Sequence, residues 1–336
     1  MAIRIGINGF GRIGRLVLRS ILERDPDSYE IVGINDLVDA PALANLFKHD
    51  TAQGTYPGEV SVDGNTITVD GEAIDVFAEK DPTQLPWGDR DTDVVVESTG
   101  IFRTREGAAK HLEAGAEKVI ISAPAKSEVD ATVVLGVNDE DLTGEEEIVS
   151  NASCTTNCLA PMAMILDEAF GLEQGLMTTV HAYTSSQNIQ DGPHKDWRRA
   201  RAAAENIVPT TTGAAKAVGL VLPHLDGKLD GMAMRVPVPD GSITDLTANL
   251  EQEVTKEDVD RAFEEAADGK LDGIVEYAEE KWVSSDIIHN PHSCIYQPDS
   301  TKADGKMTKV VAWYDNEWGY ASRTAELAKL LVEKSA

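Results

Sequence analysis

The chain has 336 residues, 42% of them hydrophobic and 26% charged, and it sets 58 acidic against 30 basic side chains for a formal net charge of −28. That balance excludes a disordered polymer and leaves room for two domains with separate cores. So negative a field repels nucleic acid and anionic membrane, and no stretch reaches the ~18 uninterrupted apolar residues of a membrane span, so neither is expected as a partner.

The first residues run straight into a strand-like segment without the pattern of a secretion signal, so a cytoplasmic protein is expected. Ile3 to Asn8 reads as a buried strand, then a glycine-rich turn, then an amphipathic helix with Leu16, Val17, Leu18, Ile21 and Leu22. A second strand, Glu30 to Asn35, ends at Asp36. Asp39 is placed to cap a short helix with Pro41 in its first turn and Leu43, Leu46 and Phe47 on one side. Val60 to Phe77 reads as a hairpin turning at Asp63-Gly64-Asn65. Asp93 to Glu97 is another buried strand; Thr104 caps a helix that Gly115 ends, and Lys118 to Ser122 returns to the sheet. This alternation predicts a doubly wound parallel sheet.

The second half changes character. A helix starts near Cys154, and strand-like runs recur at Leu176 to Thr184, Leu229 to Val238, Ile243 to Leu250 and Lys309 to Tyr314. Ser185 to Pro209 lacks periodicity and reads as a long ordered loop, a kind that is usually functional. Thr255 and Asp258 form a capping-box pattern before a helix carrying Val259, Ala262, Phe263 and Ala266. The last helix covers about Ala321 to Glu333.

Three cysteines, Cys154, Cys158 and Cys294, are too few and too odd in number for a disulfide framework, and their spacing matches no zinc site, so no metal is expected. Cys158 and Cys294 read as buried apolar residues.

Gly9-Phe10-Gly11-Arg12-Ile13-Gly14 is a G-x-G-x-x-G turn, a weak signal by itself. Here it follows the first strand, opens the first helix and precedes Asp36 by 22 residues. In that setting Gly9 makes the tight turn, Gly11 lets a pyrophosphate approach the backbone, and Gly14 allows close helix packing. The phosphates would meet free N–H groups at the helix start, and Asp36 would bind ribose hydroxyls and repel a 2′-phosphate. A tight turn without a ligand is the competing reading.

Asn151 to Cys158 (Asn-Ala-Ser-Cys-Thr-Thr-Asn-Cys) sets Cys154 at a helix N-terminus, where free N–H groups favour a thiolate. Ser153, Thr155 and Thr156 offer hydroxyl donors to an anion. A capping cluster around a buried cysteine competes with this on equal terms. His181, in a strand-like run, could be the base for a thiolate nucleophile or a core histidine; the other six histidines sit in segments that read as loops or helix surfaces.

Four blocks together, Ile7 to Arg15, Ser150 to Asn157, His181 to Thr184 and Trp313 to Tyr320, resemble the phosphorylating glyceraldehyde-3-phosphate dehydrogenase family, and the likeness runs from end to end. The resemblance implies an α/β chain: a Rossmann NAD-binding domain over about 1–153, with a terminal helix (320–336) returning to it, and an α+β catalytic domain with a mixed sheet over 154–319. It implies a homotetramer and a loop at about 185–209 that lines a neighbour's cofactor site. It makes Cys154 the nucleophile and His181 the base, NAD the hydride acceptor, and glyceraldehyde 3-phosphate and inorganic phosphate the substrates. Thr184 and Arg235 match the substrate-phosphate site, Ser153, Thr212 and Gly213 the inorganic-phosphate site, Arg199 lies where both can share it, and Thr155 falls among the substrate or phosphate contacts. Asn316 matches the residue holding the nicotinamide carboxamide; Ser98, Thr99, Ser122 and Tyr320 fall among the cofactor contacts. Gly192-Pro193 keeps the proline typical of NAD-specific members, but glycine stands where bacterial members carry a hydrophobic residue.

Three rivals differ in testable ways. An erythrose-4-phosphate dehydrogenase would hydrolyse its thioester, an aspartate-semialdehyde dehydrogenase carries another cysteine motif, and a non-catalytic dinucleotide-binding module would show a damaged site. Independently of the reaction, the acid excess reads as adaptation to high salt, as in a halophile, where ions screen self-repulsion.

Overall fold

The computed structural model describes residues 2–335 and divides the chain into two compact units. One comprises Met1–Val133, Glu140–Ala152 and Ala321–Ala336; the other comprises Val134–Asp139 and Ser153–Tyr320. The ends of the expected spans at positions 1 and 336 fall outside the described residues.

The first unit is built on a nine-stranded sheet. Ile3–Asn8 sits between Tyr29–Asn35 and Val94–Glu97, parallel to both, and Lys118–Ile121, Ile148–Ser150 and Ala131–Thr132 extend the parallel part. The central strands are apolar without alternation, and Ile5, Ile7, Val94–Val96 and Val119–Ile121 are all buried, as a parallel sheet covered on both faces requires. The strand order reverses at Ile3–Asn8, and the crevice at such a switch point is where doubly wound sheets bind ligands. The expected caps form: the Asp39 side chain accepts the Ala42 N–H and Thr104 accepts that of Gly107.

Two local expectations change. Residues 60–77 form three antiparallel strands, Val60–Asp63, Thr66–Val69 and Glu72–Phe77, because Asp70 and Gly71 (φ +50° and +95°) make a second tight turn. Leu46 is exposed, while Leu43 and Phe47 alone of the expected stripe face the core.

The second unit carries an eight-stranded mixed sheet. Leu172–Ala182 runs parallel to Leu229–Val236 and antiparallel to Ser242–Leu250, which in turn pairs with Met307–Tyr314. Ser242–Leu250 alternates buried and half-buried side chains, the pattern of a sheet with one face packed on helices. Those helices are Cys154–Phe170, Ala214–Val221 and Lys256–Ala267, the last with the expected capping box at Thr255. The short strands Val208–Thr211, Val275–Tyr277 and Cys294–Tyr296 carry too few residues to show a period in sequence. Residues 185–207 form an ordered loop pinned by its own backbone bonds, such as Asn188 N–H to the Arg199 carbonyl at 3.1 Å. The terminal helix starts at Trp318, earlier than expected.

Candidate active site

In the first unit the glycine turn is held from several sides. Gly9 adopts φ +94°, and its N–H donates to the Asn35 carbonyl at 2.8 Å. Ser98 Oγ donates to the Gly9 carbonyl at 2.6 Å, and a Cβ on Gly14 would lie 2.1 Å from that same oxygen. Around Gly11, by contrast, a Cβ would meet nothing within 4 Å, and Gly11 caps the helix Arg12–Arg24 without any side-chain hydrogen bond. Open space against uncapped N–H groups fits a pyrophosphate. Asp36 accepts the Phe10 N–H at 2.8 Å and the Val38 N–H at 3.1 Å. A cavity of about 460 Å³ is lined by Gly9, Gly11, Asp36, Ser98 and Thr99, with the exposed apolar side chains of Leu37 and Ile101 on its wall.

Three of the expected cofactor residues are disposed otherwise. The Phe10 ring is buried against Phe47, so only its backbone faces the turn, and Arg12 is paired with Asp50. Ser122 is half-buried and does not line the cavity. Beneath the cavity lies a cluster the sequence did not reveal. Trp87 Nε1 donates to His111 Nδ1 at 3.1 Å, and His111 Nε2 faces the Glu97 carboxylate at 3.1 Å. Glu97 also accepts the Thr99 N–H at 2.9 Å. His111 is therefore wholly buried, not a helix-surface residue, because a turn (Trp87) and a strand end (Glu97) outside its own helix cover it.

In the second unit Ser153 caps the helix that begins at Cys154, accepting the Thr156 N–H at 3.0 Å. Cys154 Sγ lies 3.5 Å from His181 Nε2. His181 Nδ1 is 2.8 Å from the Ala182 carbonyl and 3.0 Å from Arg235 Nη1; the carbonyl, an acceptor only, favours the tautomer with the hydrogen on Nδ1, which turns the Nε2 lone pair to the sulfur. Parallel register sets Arg235 opposite His181. Arg235 Nη1 donates to the Ala182 carbonyl at 2.9 Å and approaches Thr184 Oγ1 at 3.5 Å, whereas its buried Nε has no partner among the described residues. An orphaned guanidinium donor beside the thiol fits an anionic substrate group.

Electrostatics correct one expectation. The helix start does not make Cys154 a resting thiolate: burial pushes the thiol up to about 11, against the opposing pull of Arg235 and the Thr155 hydrogen bonds. Burial, then the Arg235 charge, drives His181 down to about 3. The resting pair is a neutral thiol and a neutral imidazole, because desolvation by the packed neighbours outweighs the charge and hydrogen bonds that favour the thiolate.

Of the other expected residues, Thr155 turns inward, its hydroxyl 2.9 Å from Tyr314 Oη, which is also 2.7 Å from Thr179 Oγ1. Arg199 Nε donates to Thr210 Oγ1 at 2.9 Å, and its charge reaches Arg235. Thr212 and Gly213 precede the helix Ala214–Val221, with the Thr212 hydroxyl accepting the Ala214 N–H at 3.2 Å. Asn316 Oδ1 accepts from Ser242 Oγ at 2.6 Å, which leaves the amide nitrogen to donate. Tyr320 is buried, and its phenol is pushed well up by burial and by Cys154. Ser242 and Asp240, which pack beside Asn316, and the Tyr314 hydroxyl were assigned no role from the sequence, because nothing local in the chain shows which groups they meet.

Family models match this chain in two parts: the glyceraldehyde 3-phosphate dehydrogenase NAD binding domain over residues 3–105 and the C-terminal domain of the same family over 153–316. The chain belongs to the glyceraldehyde 3-phosphate dehydrogenase family. It is 58% identical to glyceraldehyde-3-phosphate dehydrogenase of Geobacillus stearothermophilus, over 99% of each chain. With the Streptomyces coelicolor protein of the same name the identity is 57%, over 97% of this chain and 98% of the relative. With glyceraldehyde-3-phosphate dehydrogenase 1 of Bacillus subtilis it is 56%, over 99% of each. As a glyceraldehyde 3-phosphate dehydrogenase family member, the chain is an NAD-dependent oxidoreductase acting on an aldehyde. Among the described residues, no helix is long and apolar enough to cross a membrane.

Proposed function

We propose that this chain oxidises glyceraldehyde 3-phosphate with NAD through a thioester on Cys154 and releases 1,3-bisphosphoglycerate by attack of inorganic phosphate. The observation that carries the reading is the 3.5 Å approach of the Cys154 sulfur to Nε2 of His181. His181 takes the thiol proton as sulfur attacks the aldehyde carbon, and returns it to the oxygen to give a thiohemiacetal. It then takes that hydroxyl proton as the carbonyl reforms. Bound NAD supplies the acceptor for the hydride that leaves the same carbon. Phosphate attack on the thioester breaks the C–S bond and restores the cysteine. Splitting one oxidation into two steps lowers each barrier.

Arg235 and Thr184 are assigned to the substrate phosphate, and Ser153, Thr212 and Gly213 to inorganic phosphate with Arg199 shared. The orphaned Arg235 Nε supports the first assignment. Gly9, Gly11, Gly14 and Asp36 are assigned to the dinucleotide and Asn316 to its carboxamide. A homotetramer is in keeping with Ile189, Trp197 and Ile207, large apolar side chains exposed on the 185–207 loop. Cytoplasmic location, absence of nucleic-acid or membrane partners, and adaptation to high salt rest on the net charge of −28 and the composition. The test is NADH formation from glyceraldehyde 3-phosphate with and without inorganic phosphate. Sustained turnover should require phosphate and vanish in Cys154→Ser. Phosphate-independent turnover would move the assignment to a hydrolytic relative such as an erythrose-4-phosphate dehydrogenase.

A further inference from the structure

Two carboxyl groups face each other beside Asn316. Asp240 precedes the strand Ser242–Leu250, Asp315 follows the strand Met307–Tyr314, both are almost fully buried, and their side chains hydrogen-bond. A carboxyl–carboxylate hydrogen bond in a dry site requires one shared proton, since two charges there repel. The hydrogen bonds decide which group is the acid. Asp315 accepts three N–H groups: Glu317 at 2.9 Å and Trp318 at 2.7 Å on Oδ1, and His289 at 2.8 Å on Oδ2. Such donors favour the charged form. Asp240 receives the N–H of Gly241 at 2.9 Å.

We propose that Asp240 is a positioning residue for Asn316: it holds the shared proton and donates it to Asp315, whose carboxylate gathers the N–H groups of Glu317 and Trp318, which follow Asn316, and of His289. The inference rests on the assignment of Asn316 to the cofactor carboxamide. Asp315 holds the turn that carries Asn316, and Ser242, two residues after Asp240, holds the Asn316 side-chain oxygen. Apart from the Gly241 N–H, the groups facing Asp240 oppose its ionisation or lose by it. Burial, Asp315 and Glu317 push it up to about 10, and a charge on it raises the Cys154 thiol. His289 reaches the pair through its N–H to Asp315.

Asp240→Asn keeps the shape and the donor but cannot titrate. Because the folded chain retains a proton that the unfolded chain sheds, the parent loses stability relative to Asp240→Asn as pH rises from about 4 to about 10. Melting of the cofactor-free protein should show that gap widening, and a constant gap overturns the shared proton. Calorimetric NAD binding should be within about twofold of the parent for Asp240→Asn and at least about tenfold weaker for Asp240→Ala, or for Asp240→Ser if the alanine variant does not fold. Parent-like NAD affinity in the truncated variant overturns the positioning role. Neither readout uses the aldehyde, so failure of the proposed substrate is seen separately.

Discussion

Arg235 lies directly opposite His181 in the parallel ladder of the second unit, and its Nη1 shares the Ala182 carbonyl with the imidazole Nδ1. One carbonyl thus orients both the base and the cation. The Arg235 charge lowers the Cys154 thiol and disfavours an imidazolium at His181, so it suits the attacking thiolate and keeps the base unprotonated. Arg235→Gln should raise KM for the phosphorylated aldehyde by roughly tenfold to a hundredfold, from the loss of charged hydrogen bonds. It should also slow alkylation of Cys154 by iodoacetamide at fixed pH. Unchanged alkylation would separate Arg235 from the thiol.

His181→Asn removes the base while leaving the strand in place. The loss in kcat should be about a hundredfold to ten-thousandfold, with little change in melting temperature at neutral pH. Steady-state rates and calorimetry on the same preparation decide it; a rate near the parent's would return His181 to the role of a core residue.

The same side chain should govern part of the acid stability. Its folded pKa is depressed to about 3, below the unfolded value. The unfolded chain therefore binds the extra proton first, and stability is lost as pH falls from about 6.5 toward 3. In His181→Asn the melting temperature should fall less steeply across that window. Parallel curves for the two proteins would rule the contribution out.

Two glycines of the same turn should fail differently. Gly14→Ala drives a Cβ into the Gly9 carbonyl and should cost roughly 1–3 kcal/mol of stability. Gly11→Ala meets open space at φ −74°, so folding should be unaffected while NAD binding weakens by about tenfold or more. Loss of stability in Gly11→Ala, or unchanged NAD affinity, would contradict the assignment of that space to the pyrophosphate.

With a net charge of −28, added salt should screen self-repulsion, and the melting temperature should climb between dilute buffer and molar KCl. A flat or falling curve would leave the acid excess without a role in salt adaptation.

What the sequence alone determined is local chemistry. Gly9, Gly11 and Gly14 were legible because a strand end, a tight turn and a helix start follow one another within a few residues, and Asp36 because it ends the next strand, 22 residues on. The caps at Asp39, Thr104, Ser153 and Thr255 were legible for the same reason: a capping side chain bonds to N–H groups two or three positions away. The four blocks around Gly9, Cys154, His181 and Trp313 carried the family resemblance, but not the distance from sulfur to imidazole. Only tertiary structure decided that Cys154 meets His181, that strand register sets Arg235 beside both, and that Asp240 faces Asp315. It also decided the protonation states. The helix start at Cys154 speaks for a thiolate, but burial by side chains from distant strands holds the thiol and the imidazole neutral. Desolvation is summed over all the neighbours that packing supplies, and those neighbours are adjacent in space without being adjacent in the chain.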